Sequence, residues 1–345
     1  MRISTLFGLT AAQYEVPKDE SPVGDIRFTQ RQIHIAKQAG YDTSAWKRDP
    51  DLEIDTVDNR GSNKWARNWP NPAGYTGPGL RIPYRIQTAD YTDDKIANIR
   101  QYLTEMSGYI NGCIDFYDDT DTQIYSTKYI LIRNNKSQGQ YDSGCWSSLG
   151  YTNPSTFQSI NLGDNCVTRG TTQHEMMHAV GFLHEQSRPD RDDYIDVLFD
   201  NIIPGAHSQF NKMAETDWHD MSENYDLKSV MHYEGWAFLT QEAWDAGLSS
   251  IVYKGTTERV TNRSPLLSSS DIVQLATRYE DFCADTKASL VNSKIACDSN
   301  DPNGQYYLPG KECNGYADCF NDADESFDTC QDMGESLSGV LKLSL

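Results

Sequence analysis

Apolar residues recur at spacings of three and four through Ile96, Ile99, Leu103, Met106 and Ile110, behind a threonine at 92 able to cap a helix. That pattern predicts one long amphipathic helix. The runs Arg81-Ile-Pro-Tyr-Arg-Ile86 and Tyr129-Ile-Leu-Ile-Arg133, rich in β-branched and aromatic residues, read as strands. Ser268-x-x-Asp271 reads as a capping box opening a further helix that buries Ile272, Leu275 and Tyr279. Another helix is predicted from about 168–171. After Gly181 the periodicity thins, and Pro189 and Pro204 predict mostly irregular chain. Residues 13–60 are polar and lack a continuous core pattern, while 284–296 and 331–345 carry little signal. Long helices beside separate strands predict an α+β fold with a mixed sheet.

Composition narrows the classes of protein this can be. At 345 residues the chain is long enough for two domains or more. A net charge of −20 disfavours nucleic acid and anionic membrane as partners. No apolar run approaches the 18 residues or so that a spanning helix needs. Eight cysteines, an even number, predict disulfides and an oxidising compartment. The first twelve residues, with Arg2, a short apolar core and Ala11-Ala12, have the features of a signal peptide in miniature. Asn135-Lys-Ser137 and Asn262-Arg-Ser264 are glycosylation sequons, the second weakened by Pro265. Together these predict an extracellular, secreted chain.

The chemistry is concentrated in Thr171-Thr-Gln-His174-Glu175-Met-Met-His178-Ala-Val-Gly181-Phe-Leu-His184-Glu185. Histidines four apart on a helix lie one turn above each other and can grip one ion. Gly181 lets the chain leave the helix through a left-handed turn, which brings His184 round as a third nitrogen donor. Three neutral imidazoles and one open position suit a catalytic zinc better than a closed structural one. Glu175 falls next to the first histidine, where it can take a proton from a water at that ion. Such a motif also arises by chance on a solvated helix face. Here three of the seven histidines fall within one such segment, with the glycine correctly spaced between them.

The full run His174-Glu-x-x-His178-x-x-Gly181-Phe-x-His184-Glu185, followed by Gln186-Ser-Arg-Pro-Asp-Arg-Asp192, resembles the astacin family of metzincin zinc endopeptidases. Ser229-Val-Met231-His-Tyr233 is similar to that family's Met-turn. Ile82-Pro-Tyr84, Gly144-Cys-Trp146 and the closing helix ending at Cys283 extend the likeness over a catalytic domain at 61–283. The resemblance implies a two-lobed fold: a mostly parallel sheet and the active-site helix above, an irregular lobe with a closing helix below. It implies zinc on His174, His178 and His184, with Met231 as an apolar floor beneath. It implies peptide hydrolysis by zinc-activated water, with Glu175 as general base and Tyr233 as a fifth zinc ligand that swings away and hydrogen-bonds the tetrahedral intermediate. Cys145, Trp146 and Ser147 match the edge strand that takes the substrate backbone as an added strand. The implied pairings are Cys113–Cys283 and Cys145–Cys166. His232, His207, His219 and His34 receive no role, and Trp236, Arg259 and Arg263 are unranked candidates for reading the residue after the cut.

The same likeness extends to a propeptide at 13–60. Pro22-Val-Gly-Asp25 resembles the family's latency motif, with proline where phenylalanine is usual. Asp25 would occupy the open zinc position in the latent form. A trypsin-like protease would cut at Arg60–Gly61, with Arg67 the second choice, and the new amino terminus would pair with Glu185.

Downstream, Cys313-Asn-Gly-Tyr-Ala-Asp318-Cys319-Phe-Asn-Asp-Ala-Asp324-Glu325 resembles half of a low-density-lipoprotein-receptor class A module over 297–330, with only four of six customary cysteines. It implies the pairs Cys297–Cys319 and Cys313–Cys330, a calcium ion on Asn314, Asp318, Asp324 and Glu325, and a protein partner. A solvated acidic loop explains the same residues without an ion. Two functions therefore stand: a secreted zymogen of a zinc endopeptidase acting on protein substrates, or an idle binding protein working through this module. The intact Glu175 favours the first, since a binder has no use for a base beside its metal.

Overall fold

Strands rich in Ile, Leu and Tyr, buried on both faces, build the central sheet. The structure, a computed structural model, describes residues 26–28, 32–33, 37, 40, 47–48, 66–135, 144–218, 221, 223–261, 265–298, 304–314, 316–319, 321–326 and 330. The expectations for 1–12, Asp25, His34, Arg60–Gly61, His219, Asn262, Arg263 and 331–345 lie outside the described residues.

Seven strands form one sheet: β1 (Ile26–Phe28), β2 (Lys47–Arg48), β3 (Leu80–Ile86), β4 (Ile114–Asp118), β5 (Tyr129–Arg133), β6 (Cys145–Ser148) and β7 (Phe157–Leu162), in the order β2-β1-β6-β7-β5-β3-β4. Every neighbouring pair is parallel except β6 and β7. Leu80, Ile82, Ile130 and Ile132 are fully buried, as expected of parallel strands covered on both faces. Helix α1 (Asp93–Tyr109) lays Ile96, Ile99, Leu103 and Met106 into this core. Thr92 stands at its N-cap, but its hydroxyl makes no capping bond. Helix α2 (Arg169–Ala179) packs against α1, β6 and β7.

After Gly181 the second lobe runs as short 3-10 turns, a strand pair β8 (Ile195–Val197) and β9 (Ile251–Tyr253), and a short helix α3 (Gln241–Asp245). Helix α4 (Ser269–Arg278) closes this lobe, with the predicted capping box between Ser268 and Asp271 in place. The chain does not stop at Cys283. Helix α5 (Glu280–Asn292) continues past it, with only Cys283 departing from helical angles. Little in 284–292 announces a helix: Leu290 is its one buried residue past Cys283, and it joins the main core. The small hairpin β10 (Ile295–Ala296) and β11 (Tyr306–Tyr307) follows, with a loop behind it.

The eight cysteines make four bonds: Cys113–Cys283, Cys145–Cys166, Cys297–Cys319 and Cys313–Cys330. The first closes a sequence separation of 170, the second one of 21. Chain entropy makes the longer loop's bond worth on the order of 5 kcal/mol against roughly 3 for the shorter. Replacing Cys113 and Cys283 with serine is therefore expected to lower unfolding free energy more than the same change at Cys145 and Cys166. Urea unfolding of the two double variants checks this, and equal losses would contradict it.

Candidate metal and catalytic site

Helix α2 is built to be buried. Thr168 accepts the amide of Thr171 at its N-cap, and every residue from Thr172 to Ala179 is buried. The helix ends at Gly181, whose φ of +104° is strained for any residue with a Cβ. A Cβ there would also meet the Arg278 guanidinium at 2.4 Å. Arg278 reaches up from α4 to donate to Val180 O at 2.9 Å and Ala66 O at 3.1 Å, so the reversal is held from below.

That reversal brings His184 back over the helix. The donor nitrogens of His174, His178 and His184 all lie within 4.8 Å of one another. His178 Nε2 is 3.2 Å from His184 Nε2. Two zinc–nitrogen bonds of 2.0–2.1 Å at a tetrahedral angle separate their donors by about 3.3 Å, so this pair fits one zinc ion. His174 Nδ1 lies 2.8 Å from Val230 O and His178 Nδ1 lies 2.7 Å from Phe182 O. A carbonyl can only accept, so each Nδ1 carries the proton and leaves Nε2 to a metal. All three rings are buried.

Glu175 is buried beside this cluster. The Tyr233 ring centroid lies 4.3 Å from that of His184, with Phe210 and Phe238 flanking it at 5.7 and 5.5 Å. Its backbone is fixed by Gln186, whose side-chain oxygen accepts the Tyr233 amide at 3.0 Å. Met231 is buried in the core that runs under the helix, and its carbonyl accepts the Glu185 amide at 3.0 Å. His232 lies 2.7 Å from the Tyr225 hydroxyl and 2.6 Å from Tyr233 O, a structural position. His207 lies against Ile202 O, away from the triad.

Below the histidines lies a group of buried acids. Arg188 Nη1 donates to Glu185 Oε1 at 3.2 Å, and the Asp226 amide donates to the same oxygen at 2.9 Å. Burial pushes the Glu185 carboxyl up to about 8, against the pull of Arg188. Asp226 and Asp271 are pushed up too, by burial and, for Asp226, by the neighbouring charge of Asp271. Asp271 accepts the Ser229 hydroxyl at 2.6 Å and the Val230 amide at 2.9 Å. A cavity of about 30 Å³ opens here among Gly181, Glu185, Met231, Asp271 and Arg278. The sequence marks Asp271 only as a helix cap and leaves Arg188, Asp226 and Arg278 unnoticed. Arg188 and Arg278 lie three residues past Glu185 and at the last turn of a helix, positions where cations are common.

Cys145–Ser148 is indeed a strand, antiparallel to β7, but its other edge is taken. Strand β1 adds to it in parallel, pairing Ile26 with Ser147 and Arg27 with Ser148. Arg27 lies over the Trp146 ring at 4.7 Å, and Gln32 donates to Leu149 O. Ile26 and Ile33 pack with Ala66 and Leu149 of one lobe and Met213 of the other.

Three further expectations fall on residues with defined surroundings. Asn135 is 1 % exposed, and its backbone amide donates to Asn161 Oδ1. The Arg259 guanidinium donates to Ser249 Oγ and to the carbonyls of Gly247 and Leu248, which makes it a loop brace. Trp236 stays partly exposed. Among the described residues only the three histidines bring three His, Cys, Asp or Glu donors together. Asp324 accepts the amides of Asp318 and Cys319, Asp318 accepts the Ser269 hydroxyl, and Glu325 accepts the Asn314 amide.

Comparison with known proteins agrees with this geometry. Protein SpAN of Strongylocentrotus purpuratus is 29 % identical over 347 residues, covering 97 % of this chain and 48 % of that protein. Zinc metalloproteinase nas-4 of Caenorhabditis elegans is 36 % identical over 180 residues, 51 % of this chain and 52 % of that one. The chain thus spans about half the length of these curated relatives. Among solved structures, High choriolytic enzyme 1, a hatching enzyme zinc-protease from Oryzias latipes, matches with a TM-score of 0.50 and 27 % identity over 62 % of this chain and 94 % of that chain. Residues 71–280 match the Astacin family, Peptidase family M12A, and with its three convergent histidines this chain belongs to that family.

Proposed function

We propose that the chain is a secreted, latent zinc metalloendopeptidase. The convergence of His174, His178 and His184 beside buried Glu175 carries the reading. When bound there, zinc supplies Lewis acidity that lowers the pKa of a water from 15.7 to about 7. Glu175 receives the proton given up by the attacking water and returns it to the leaving amine. Tyr233, beside His184, donates its hydroxyl to the oxyanion of the tetrahedral intermediate. The Cys145–Ser148 edge takes the substrate backbone once β1 has left it. Protein and peptide chains are the substrates.

Latency is supported by β1, which occupies that edge and begins at the residue after Asp25. The Asp25 carboxylate closes the open position of the ion, as the family resemblance implies. Cutting at Arg60–Gly61 by a trypsin-like protease frees both, and the new amino terminus joins Glu185 in the adjoining cavity. The four disulfides support secretion. Calcium on Asn314, Asp318, Asp324 and Glu325, and a protein partner for that segment, rest on resemblance alone. The engaged carboxylates there favour a docking role.

After trypsin treatment, Glu175→Gln is expected to keep its zinc by metal analysis while losing roughly 10²- to 10⁴-fold in casein cleavage. A chelator should abolish cleavage by the parent protein. Activity that survived both would refute the mechanism. Tyr233→Phe should lower kcat by about 10²-fold with little change in KM, the signature of a lost transition-state donor; an altered KM alone would assign the ring to substrate binding. Asp25→Ala should cleave substrate before any trypsin is added, and a precursor as silent as the parent would remove Asp25 from latency.

A further inference from the structure

The C-terminal hairpin and its cysteine-linked loop do not hang from a tether. They grip the chain on both sides of the metal centre's floor. On one side, Tyr306 donates its hydroxyl to Glu223 Oε2 at 2.6 Å and Lys294 donates to Glu223 Oε1 at 2.7 Å. Glu223 opens the stretch that runs through Asp226, Ser229 and Val230 to Met231. On the other side, the first turn of α4 is held three times. Ser269 Oγ accepts the Leu308 amide and donates to Asp318 Oδ2, both at 2.9 Å. Lys311, only 6 % exposed, donates to Leu267 O and lies 4.9 Å above the Tyr109 ring. That turn carries Asp271, which holds Ser229 and Val230, and Val230 O is the acceptor that orients His174.

We propose that Glu223, Ser269, Lys311 and Asp318 are positioning residues: the C-terminal segment is an intramolecular brace that fixes the Val230–Met231 turn and, through it, the orientation of His174. A buried ammonium and a buried carboxylate are retained at such a junction only when each finds partners on the body it docks to, which is the case here. The inference rests on the zinc reading of the triad, and the test separates the two.

The full chain, loaded with one zinc, is mixed with a chromogenic chelator and the rate of zinc release is followed well below the melting temperature. Glu223→Gln, Ser269→Ala, Lys311→Met and Asp318→Leu are expected to release zinc about tenfold faster than the parent, the lower range for outer residues that orient a ligand. Asp318→Asn, which keeps an oxygen for the Ser269 hydroxyl, should stay near the parent rate. Ile99→Ala, in the core of the other lobe, serves as a control that lowers stability without touching the brace. Release no faster from the brace variants than from a control of equal melting temperature would overturn the proposal, as would a rate set by added calcium rather than by these contacts. A parent protein that holds no zinc would instead sink the zinc reading itself. Should Lys311→Met fail to fold, Glu223→Gln and Ser269→Ala still decide the matter.

Discussion

Three imidazoles have to meet at one point although the chain reverses direction between the second and the third. The rest of the structure serves that reversal at Gly181. A residue with a Cβ would strain the backbone at a φ of +104° and collide with the Arg278 guanidinium. Arg278 in turn donates to the carbonyls of Val180 and Ala66, so α4 holds the end of α2 and the start of the catalytic domain together. The closing helix therefore supports the reversal that brings the three histidines together.

Beneath the reversal, the site depends on carboxylates that carry little solvent. Asp271 ties the turn before Met231 to the N-terminus of α4, where a helix end tolerates negative charge well. Glu185 and Asp226 share a neighbourhood with Arg188, and burial favours the protonated form of both acids. A cation placed beside these acids would favour their charged forms.

Both ends of the chain bear on the centre from outside. Strand β1 fills the outer edge of β6 and packs against residues of both lobes. The C-terminal hairpin holds the floor from the opposite direction through Glu223, Ser269 and Lys311.

The local sequence determined what depends on neighbours in the chain. The histidine spacing, the glycine exit, the capping box at Ser268–Asp271 and the period of α1 all follow from helix geometry and turn chemistry over a few residues. The strands at Leu80–Ile86 and Tyr129–Arg133 were legible for the same reason. What the sequence left undecided needed residues far apart to meet. The helix past Cys283 buries Leu290 in the main core; the edge of β6 is occupied by a strand more than a hundred residues away; Asn135, exposed by rule of thumb, is buried; and acids of the C-terminal loop accept amides and the Ser269 hydroxyl. Motifs encode which atoms can react or bind, but which polar group finds which partner is settled only when burial removes water as the alternative.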